Sequence, residues 1–310
     1  MIFILLLLFI FIIALIAVYR LAFYSREKGR AENMYDIPSS EQYRSGRDYM
    51  RRLIDEMAAV PCERVQITSF DGLKLSARYY PGADGAPVEL MLHGYRGSAI
   101  RDFCGGARIG LAQGHGVLLV DQRGNGASGG RTISFGVNER RDALSWIEYI
   151  RARCGADVPV IVAGVSMGAA TALMLSGMDE LPDNVRGIVA DCPFSSPEAI
   201  IFKVAKEDMH LPAKLLMPLA RLSAKLIGRF SLSAASAVES VRRARVPVLI
   251  IHGEDDRFVP CDMSREIHAA NPRMVRLETF PGAGHGLSYI VDTGRYERAV
   301  LGFEKTLNLS

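Results

Sequence analysis

The chain has 310 residues, of which 49% are hydrophobic and 23% are charged, and its formal net charge is +3. This composition is that of a globular protein with a sizeable core, and the small net charge, with no long Lys/Arg run, argues against a nucleic-acid partner. The five cysteines are scattered and form no CxxC pair. They therefore predict reduced thiols rather than a disulfide framework or a zinc site.

The first 19 residues, MIFILLLLFIFIIALIAVY, carry no charge and no helix breaker. A helix of this length, rising about 1.5 Å per residue, nearly spans the roughly 30 Å hydrocarbon layer. No basic segment precedes it and no clear cleavage site follows it, so we predict an uncleaved membrane anchor over residues 1–19 rather than a signal sequence. The nearby basic residues all follow it, which predicts a cytoplasmic domain, with secretion as the alternative. They are Arg20, Arg26, Lys28 and Arg30.

Residues 20–60 are mostly polar and form a predicted juxtamembrane segment. Apolar side chains recur at nearly helical spacing between Ser39 and Met57, which predicts a helix there. This helix is expected either to form a stalk or to pack on the domain that follows.

From residue 61 onward the pattern becomes that of a folded α/β domain. A hairpin is predicted in VQITSFDGLKLSARYY, with its turn at Asp71-Gly72. Six short apolar strands follow, and helices are predicted at 138–152, 166–176, 262–270 and 296–307. The strands are VELMLHG, GVLLVDQRG, VPVIVAG, VRGIVADCP, VPVLIIHG and MVRLETFPG. Apolar strands alternating with helices predict a mostly parallel, doubly wound sheet, with ligands bound beyond the carboxyl ends of its strands.

One interval, residues 194–245, breaks this alternation. It contains amphipathic helical stretches, and an insertion of about 50 residues at this edge of the sheet predicts a helical lid. The alternative interpretation is a helix lying on a membrane, because the stretch from Leu215 to Ile227 is strongly apolar.

The pentapeptide Gly164-Val165-Ser166-Met167-Gly168 lies where a predicted strand meets a predicted helix. The G-x-S-x-G nucleophile elbow requires this context, because a sharp turn exposes the serine oxygen and small neighbours let the strand and helix approach. Alternatively, Ser166 only caps the following helix.

A serine nucleophile needs a histidine base that is oriented by a carboxylate. PGAGHGLS places His285 just after the last predicted strand, and HGEDDRFVP follows the strand before it. The chain order of serine, acid and histidine agrees with a nucleophile elbow. Spacing alone leaves Glu254, Asp255 and Asp256 open as the acid.

With these motifs, the sequence resembles the α/β-hydrolase fold serine hydrolases over about residues 65–307, in particular the membrane-anchored or secreted esterase-like branch. The resemblance rests on HGYRGS, DQRGNGASGG, GVSMG and HGEDDRFVP. It implies that Asp256 is the acid, with Asp191 as a weaker candidate. It further implies that the backbone N–H groups of Tyr95 and Met167 form an oxyanion hole, and that Arg123 binds nearby carbonyls or carboxylates.

The other histidines lack a catalytic context. His93 and His252 each precede a glycine at a strand end and are interpreted as structural, whereas His115, His210 and His268 are expected at the surface or in the lid. The GxGxxG in DQRGNGASGG is a weak nucleotide-binding signal, because no helix begins directly behind it. No Walker lysine or metal-ligand cluster appears, so no cofactor and no metal are predicted.

The resulting hypothesis is acyl transfer in two steps, with attack by Ser166, proton transfer by His285 and hydrolysis of the acyl-enzyme. A small-molecule or lipid-like acyl ester is the expected substrate. Thioesterase, amidase and acyltransferase activities use the same residues and stay open. A membrane-tethered binding module without catalysis is the alternative from another class. The sequence makes no prediction of the oligomeric state.

Overall fold

The computed structural model describes residues 1–25 and 34–309. Three of the basic residues used for the orientation of the anchor, Arg26, Lys28 and Arg30, lie outside the described residues. Helix α1 (Ile2–Val18) continues into a π-helical turn at Tyr19–Phe23. Together these 22 residues form one helix that is long and apolar enough to cross a membrane.

Eight strands form one twisted sheet in the order β1-β2-β4-β3-β5-β6-β7-β8. The β1–β2 hairpin and the β2–β4 pair are antiparallel, and all other pairs are parallel, which confirms the predicted mostly parallel sheet. The strands are β1 (Glu63–Thr68), β2 (Lys74–Tyr80), β3 (Val88–Leu92), β4 (Gly116–Asp121), β5 (Val160–Val165), β6 (Val185–Asp191), β7 (Val248–Gly253) and β8 (Val275–Phe280).

Helices cover both faces of this sheet because the central strands are apolar on both sides. In β3, Leu90 and Leu92 join one core with Trp146, whereas Met91 points into a second core with Phe103. The helices after α1 are α2 (Arg47–Ala59), α3 (Ala99–Phe103), α4 (Gly106–Ala112), α5 (Glu139–Cys154), α6 (Met167–Ser176), α7 (Pro197–Lys203), α8 (Ala213–Leu226), α9 (Ala237–Val241), α10 (Cys261–Ala270), α11 (Ser288–Val291) and α12 (Thr293–Glu304).

The helix predicted from Ser39 begins later, at Arg47, after a single 3-10 turn at Glu41–Tyr43. The Tyr43 hydroxyl donates a hydrogen bond to the carbonyl of His285, so a tertiary contact sets the backbone there. Helix α2 packs on the domain through Leu53 and Ile54, which are almost fully buried.

The 194–245 interval connects β6 to β7 through α7, a π-helical turn at Val204–Asp208, α8 and α9. Its helix α8 packs beside the N-terminal helix, where the Ser223 hydroxyl donates to the Leu15 carbonyl at 2.9 Å. A third hydrophobic core, which includes Phe23, Phe135 and Phe230, joins the end of that N-terminal helix to this interval.

Candidate active site

Ser166 lies on a strained turn between β5 and α6. Its φ is +54° and its ψ is −113°, a conformation that residues with a side chain rarely adopt. The neighbouring glycines leave no room for a side chain, because a Cβ on Gly164 would lie 2.3 Å from the Gly168 carbonyl carbon and one on Gly168 would lie 1.7 Å from the Leu92 oxygen. The sequence-predicted elbow geometry is therefore present.

The structure brings Ser166, His285 and Asp256 into one hydrogen-bonded chain. Ser166 Oγ lies 3.0 Å from His285 Nε2, and His285 Nδ1 lies 2.7 Å from Asp256 Oδ2. A carboxylate only accepts, so Nδ1 carries the proton and Nε2 is free to accept the serine hydroxyl proton. The histidine lies between β8 and α11, and the aspartate follows β7, so three strand ends position the group.

Asp256 is held as an ionised acceptor. Its Oδ1 accepts the backbone N–H groups of Phe258 and Val259 at 2.9 and 2.8 Å. Burial raises the pKa of Asp256, but the adjacent His285 and His252 outweigh burial and hold that pKa well below its usual range. The two neighbours that spacing left open, Glu254 and Asp255, are exposed.

His252 contacts the far side of this carboxylate, a position that the sequence did not reveal. Its Nε2 lies 3.2 Å from Asp256 Oδ2 and 2.9 Å from the Val259 carbonyl, and its Nδ1 lies 2.6 Å from the Ser264 hydroxyl. Because a carbonyl only accepts, Nε2 is the protonated nitrogen. His252 is structural, as predicted, and it also fixes the orientation of Asp256.

Of the two predicted oxyanion donors, Met167 belongs to the elbow and Tyr95 to the loop after β3. Met167 is the first residue of α6, so its N–H has no acceptor within the helix. Tyr95 follows Gly94, whose backbone approaches so closely that a Cβ there would lie 3.5 Å from Ser166 Cβ. Asp102 accepts the Gly94 N–H at 2.8 Å, which fixes the start of this loop.

Hydrogen bonds of His93 and Gln122 also hold the loop that carries Tyr95. The backbone N–H of Gln122 donates to His93 Nε2 at 3.0 Å, and His93 Nδ1 lies 2.7 Å from the Gly94 carbonyl. The structural interpretation of His93 is confirmed by these bonds. Arg123 pairs with Asp142 and Asp71, as expected of a residue bound to nearby carboxylates.

The end of the N-terminal helix also holds the Tyr95 loop. The Tyr95 hydroxyl donates to the Ala22 carbonyl at 2.8 Å, and Arg96 Nη2 donates to the Leu21 and Tyr24 carbonyls at 3.0 and 2.9 Å. These contacts span more than 70 residues of sequence, so no local pattern could have predicted them. The predicted anchor is thus attached directly to the loop that carries Tyr95, one of the two predicted oxyanion donors.

Arg96→Ala is expected to lower kcat about tenfold and to leave KM nearly unchanged. The substitution removes the donors of two carbonyls at the helix end, which costs about 1–3 kcal/mol, and it loosens the backbone at Tyr95. Steady-state kinetics on a soluble ester measures the effect. Arg64→Ala, at an exposed position on the edge strand β1, is the control, and equal kinetics in the two variants would contradict the prediction.

A cavity of about 440 Å³ opens beside Ser166. Aromatic and aliphatic side chains dominate its wall, and the ion pair Arg101–Asp102 is also exposed to it. The described residues that form the apolar part include Tyr43, Met50, Phe103, Phe258, Tyr289 and Ile290. The segment before and within α2 thus contributes to the wall, and Asp208 is the lining residue from the 194–245 interval.

Asp191, the weaker candidate for the acid, ends β6 without reaching His285. One of its carboxyl oxygens has no hydrogen-bond partner, and the carboxyl group interacts with the Tyr296 hydroxyl and the Cys192 thiol. Burial raises the pKa of Asp191 to about 7. Asp256, not Asp191, is therefore the carboxylate that contacts the histidine.

Asp191→Asn is expected to stabilise the protein at pH 8 and not at pH 4. Above pH 4 the unfolded chain releases the Asp191 proton, whereas the folded chain keeps it up to about pH 7, so wild-type stability falls across this window. The gain at pH 8 should be on the order of 2–4 kcal/mol. Urea unfolding at both values measures it, and a difference independent of pH would contradict the prediction.

Two groups among the described residues have metal-ligating atoms close together. One is Cys192, Asp256 and His285, in which Cys192 Sγ lies 4.0 Å from His285 Nε2, and the other is Glu89, His115 and Glu304. His115 is buried and its Nδ1 lies 2.9 Å from Glu89, so its expected place at the surface or in the lid is wrong. Burial of His115 is favourable because its hydrogen bond to the Glu89 carboxylate satisfies both buried polar side chains.

Comparison with known proteins finds relatives of this chain. The uncharacterized protein YqkD of Bacillus subtilis is 28% identical over 198 residues, which cover 64% of this chain and 65% of that protein, slightly less than two thirds of its length. The lysophosphatidylserine lipase ABHD12 of Rattus norvegicus is 27% identical over 203 residues, which cover 60% of this chain and 46% of that protein.

Among solved structures, the esterase Pf2001 of Pyrococcus furiosus superposes with a TM-score of 0.65 at 22% identity, covering 83% of this chain and 94% of that one. This likeness shows the shared fold. A sequence model described as the alpha/beta hydrolase family matches residues 90–298. This range includes the Ser166 elbow, the loops that carry Tyr95 and Asp256, and His285. The chain therefore belongs to the alpha/beta hydrolase family.

Proposed function

We propose that this protein is a serine hydrolase that cleaves carboxylic esters of lipid-like substrates. The observation that carries the proposal is the hydrogen-bonded chain from Ser166 through His285 to Asp256, which opens onto a largely apolar cavity. Each member has the hydrogen-bond partner that nucleophilic catalysis requires, which supports the proposal.

In the first step, the Ser166 oxygen attacks the ester carbonyl while His285 Nε2 takes its proton. The imidazolium that forms is stabilised by Asp256, which stays ionised. The carbonyl oxygen becomes an oxyanion between the N–H groups of Tyr95 and Met167, and each such donor contributes about 2.7–4 kcal/mol. His285 then gives the proton to the leaving alcohol.

In the second step, water attacks the acyl-enzyme. His285 accepts a proton from the water, the tetrahedral intermediate collapses, and the proton returns to the Ser166 oxygen as the carboxylic acid leaves. The step needs no group beyond those of the chain and water.

A lipid-like acyl group fits the site for two reasons. The cavity volume lies within the usual 300–1,000 Å³ range for small-molecule sites, and aromatic and aliphatic side chains form most of its wall. The N-terminal helix would hold the enzyme at a membrane, where such substrates concentrate. The rat relative is named as a lysophosphatidylserine lipase, and this name supports a lipid-like substrate.

Labelling with a fluorophosphonate tests the proposal. The full-length protein in detergent should be labelled at Ser166 alone, as mapped by peptide mass spectrometry, and Ser166→Ala should not be labelled. Ser233→Ala, which replaces an exposed serine that does not line the cavity, is the control and should keep the label. Failure of the folded wild type to react would favour the non-catalytic binding module.

Hydrolysis of matched oxygen esters, thioesters and amides by the labelled protein then separates the alternatives that share this chemistry. Addition of an acceptor alcohol to the same assay distinguishes acyl transfer from hydrolysis. The oxygen ester with water as acceptor is expected to react fastest.

The N-terminal helix acts, in this proposal, as an uncleaved anchor with the hydrolase domain in the cytoplasm. Arg20 follows the apolar run on the side of the domain, which supports this orientation. Protease added to intact spheroplasts is expected to leave the domain uncut. Digestion from outside would place the domain beyond the membrane instead.

A further inference from the structure

Helix α8 carries a row of apolar residues that the proposed function does not use. Its opposite face is buried against the domain. The row, called here the leucine stripe, consists of Leu215, Leu219, Leu222 and Leu226, at the spacing of one helix face. The two end leucines are exposed, and the two between them are half-buried. Leu215 is 74% exposed and Leu226 is 59% exposed, unusual values for leucine in a helix that is otherwise packed.

The stripe adjoins the N-terminal helix. Ser223, which hydrogen-bonds to the Leu15 carbonyl, is three and four residues from Leu226 and Leu219, so these side chains are its neighbours on the helix surface. The exposed apolar side chains of α1 and those of α8 therefore form one continuous surface.

The length of the exposed part of α1 determines how close this surface lies to a bilayer. Residues 2–13 are the part of the helix that is exposed along its length, and they extend only about 18 Å, too little for a hydrocarbon layer of roughly 30 Å. The Leu15 contact with α8 lies about 8 Å before Arg20, the first charge after the apolar run. A bilayer that contains the whole apolar run must therefore reach the level of α8.

Basic side chains lie beside the leucine stripe, as expected for a helix at a bilayer surface. Lys214, Arg221 and Lys225 form a second row on α8 next to the leucines, and all three are exposed. Arg221 pairs with Glu198, whereas the two lysines have no partner among the described residues. Such basic residues beside an apolar face are typical of helices that lie in the headgroup region, with the apolar face about 5–10 Å into the boundary.

The stripe also lies on the way to the cavity. Asp208 and Phe258 line the cavity, and Met209 and Leu211, which follow Asp208 and lead to α8, are exposed apolar residues. The segment that leads from the cavity to α8 thus exposes two apolar side chains next to the start of the stripe.

From this geometry we propose that α8 inserts its leucine stripe into the bilayer surface beside the anchor, and that the cavity takes its acyl substrate from that bilayer. The molecules that cover the stripe in this proposal are membrane lipids. The part concerning the substrate rests on the proposed hydrolase function, whereas the insertion itself does not.

Quenching by brominated lipid tests the insertion directly. The chain has one tryptophan, Trp146, which is fully buried, so an introduced tryptophan reports its own surroundings. Leu215→Trp, Leu226→Trp and the control Val291→Trp, at a site 49% exposed on α11, are reconstituted as full chains in vesicles of phosphatidylcholine and phosphatidylglycerol. Brominated phosphatidylcholine should quench both α8 positions at least twice as strongly as the control. Equal quenching at all three positions would overturn the insertion, as would protection of the stripe by a second copy of the chain, detected as a dimer by mass.

Activity tests the second part. Leu215→Glu/Leu226→Glu should lower hydrolysis of a long-chain monoacyl lipid in vesicles at least tenfold and leave hydrolysis of a soluble short-chain ester unchanged. Val291→Glu should change neither rate. An unchanged rate on the vesicle lipid would overturn uptake from the bilayer. A wild type inactive on both substrates would instead refute the proposed function, and the quenching result would still decide the insertion.

Discussion

Replacing Ser166 by glycine is expected to abolish turnover and, relative to Ser166→Ala, to raise the free energy of unfolding. Both variants lack the nucleophile, and loss of a triad serine in another hydrolase lowers kcat about 10⁶-fold. They differ in the backbone, because glycine adopts the observed φ of +54° without strain and alanine does not. After the greater chain entropy of glycine is subtracted, the gain over alanine should be about 1 kcal/mol.

Chemical unfolding of the two variants side by side, together with ester hydrolysis, measures both effects. The alanine variant is the matched control, since it removes the same hydroxyl and keeps the strained turn. Equal stability of the two variants would show that the elbow stores no strain. Residual turnover near the wild-type rate in either variant would remove Ser166 from the mechanism.

Asp256→Asn is expected to lower kcat about 10⁴-fold, the loss seen when a triad aspartate becomes asparagine elsewhere. The asparagine amide can donate to His285 Nδ1, which would place the imidazole proton on Nε2, where it cannot accept the serine proton. Asp255→Asn, one residue earlier and exposed, is the control and should keep full activity.

The same variant should lose stability in a way that depends on pH. Because the pKa of Asp256 is lower in the folded chain, its contribution is present above about pH 4 and is lost as the pH falls below that value. The stability difference from wild type should therefore shrink in acid. A constant difference between pH 7 and pH 3 would contradict the lowered pKa.

Much of the fold could be predicted because its signals are local. The Asp71-Gly72 turn and the continuous apolar strands are encoded in a few adjacent residues, and both are present in the structure. The start of α2 could not be predicted, because the periodic pattern continues through residues 39–46 while Tyr43 is held by the distant His285 loop. The burial of His115 depended in the same way on Glu89, a partner on another strand.

The same distinction between local signals and long-range contacts applies to the residues of the site. Ser166 and His285 lie in glycine-rich motifs whose sequence follows from backbone geometry, so pattern alone located them, and the family resemblance selected Asp256. His252 and the Tyr95 attachment to Ala22 involve partners that become neighbours only in the folded chain. Supporting contacts of this kind carry no sequence signature, even where they hold the proposed catalytic groups.

The buried position of Phe23 bears on any proteolytic processing of the N-terminus. Its side chain is fully enclosed and meets Phe135 and Phe230 edge to face. A peptidase cut after Ala22 would leave a charged amino group on this enclosed residue, and a cut after Phe23 would empty a site whose loss costs about 3–5 kcal/mol. We therefore expect a form that is trimmed at either bond to be less stable than the full chain.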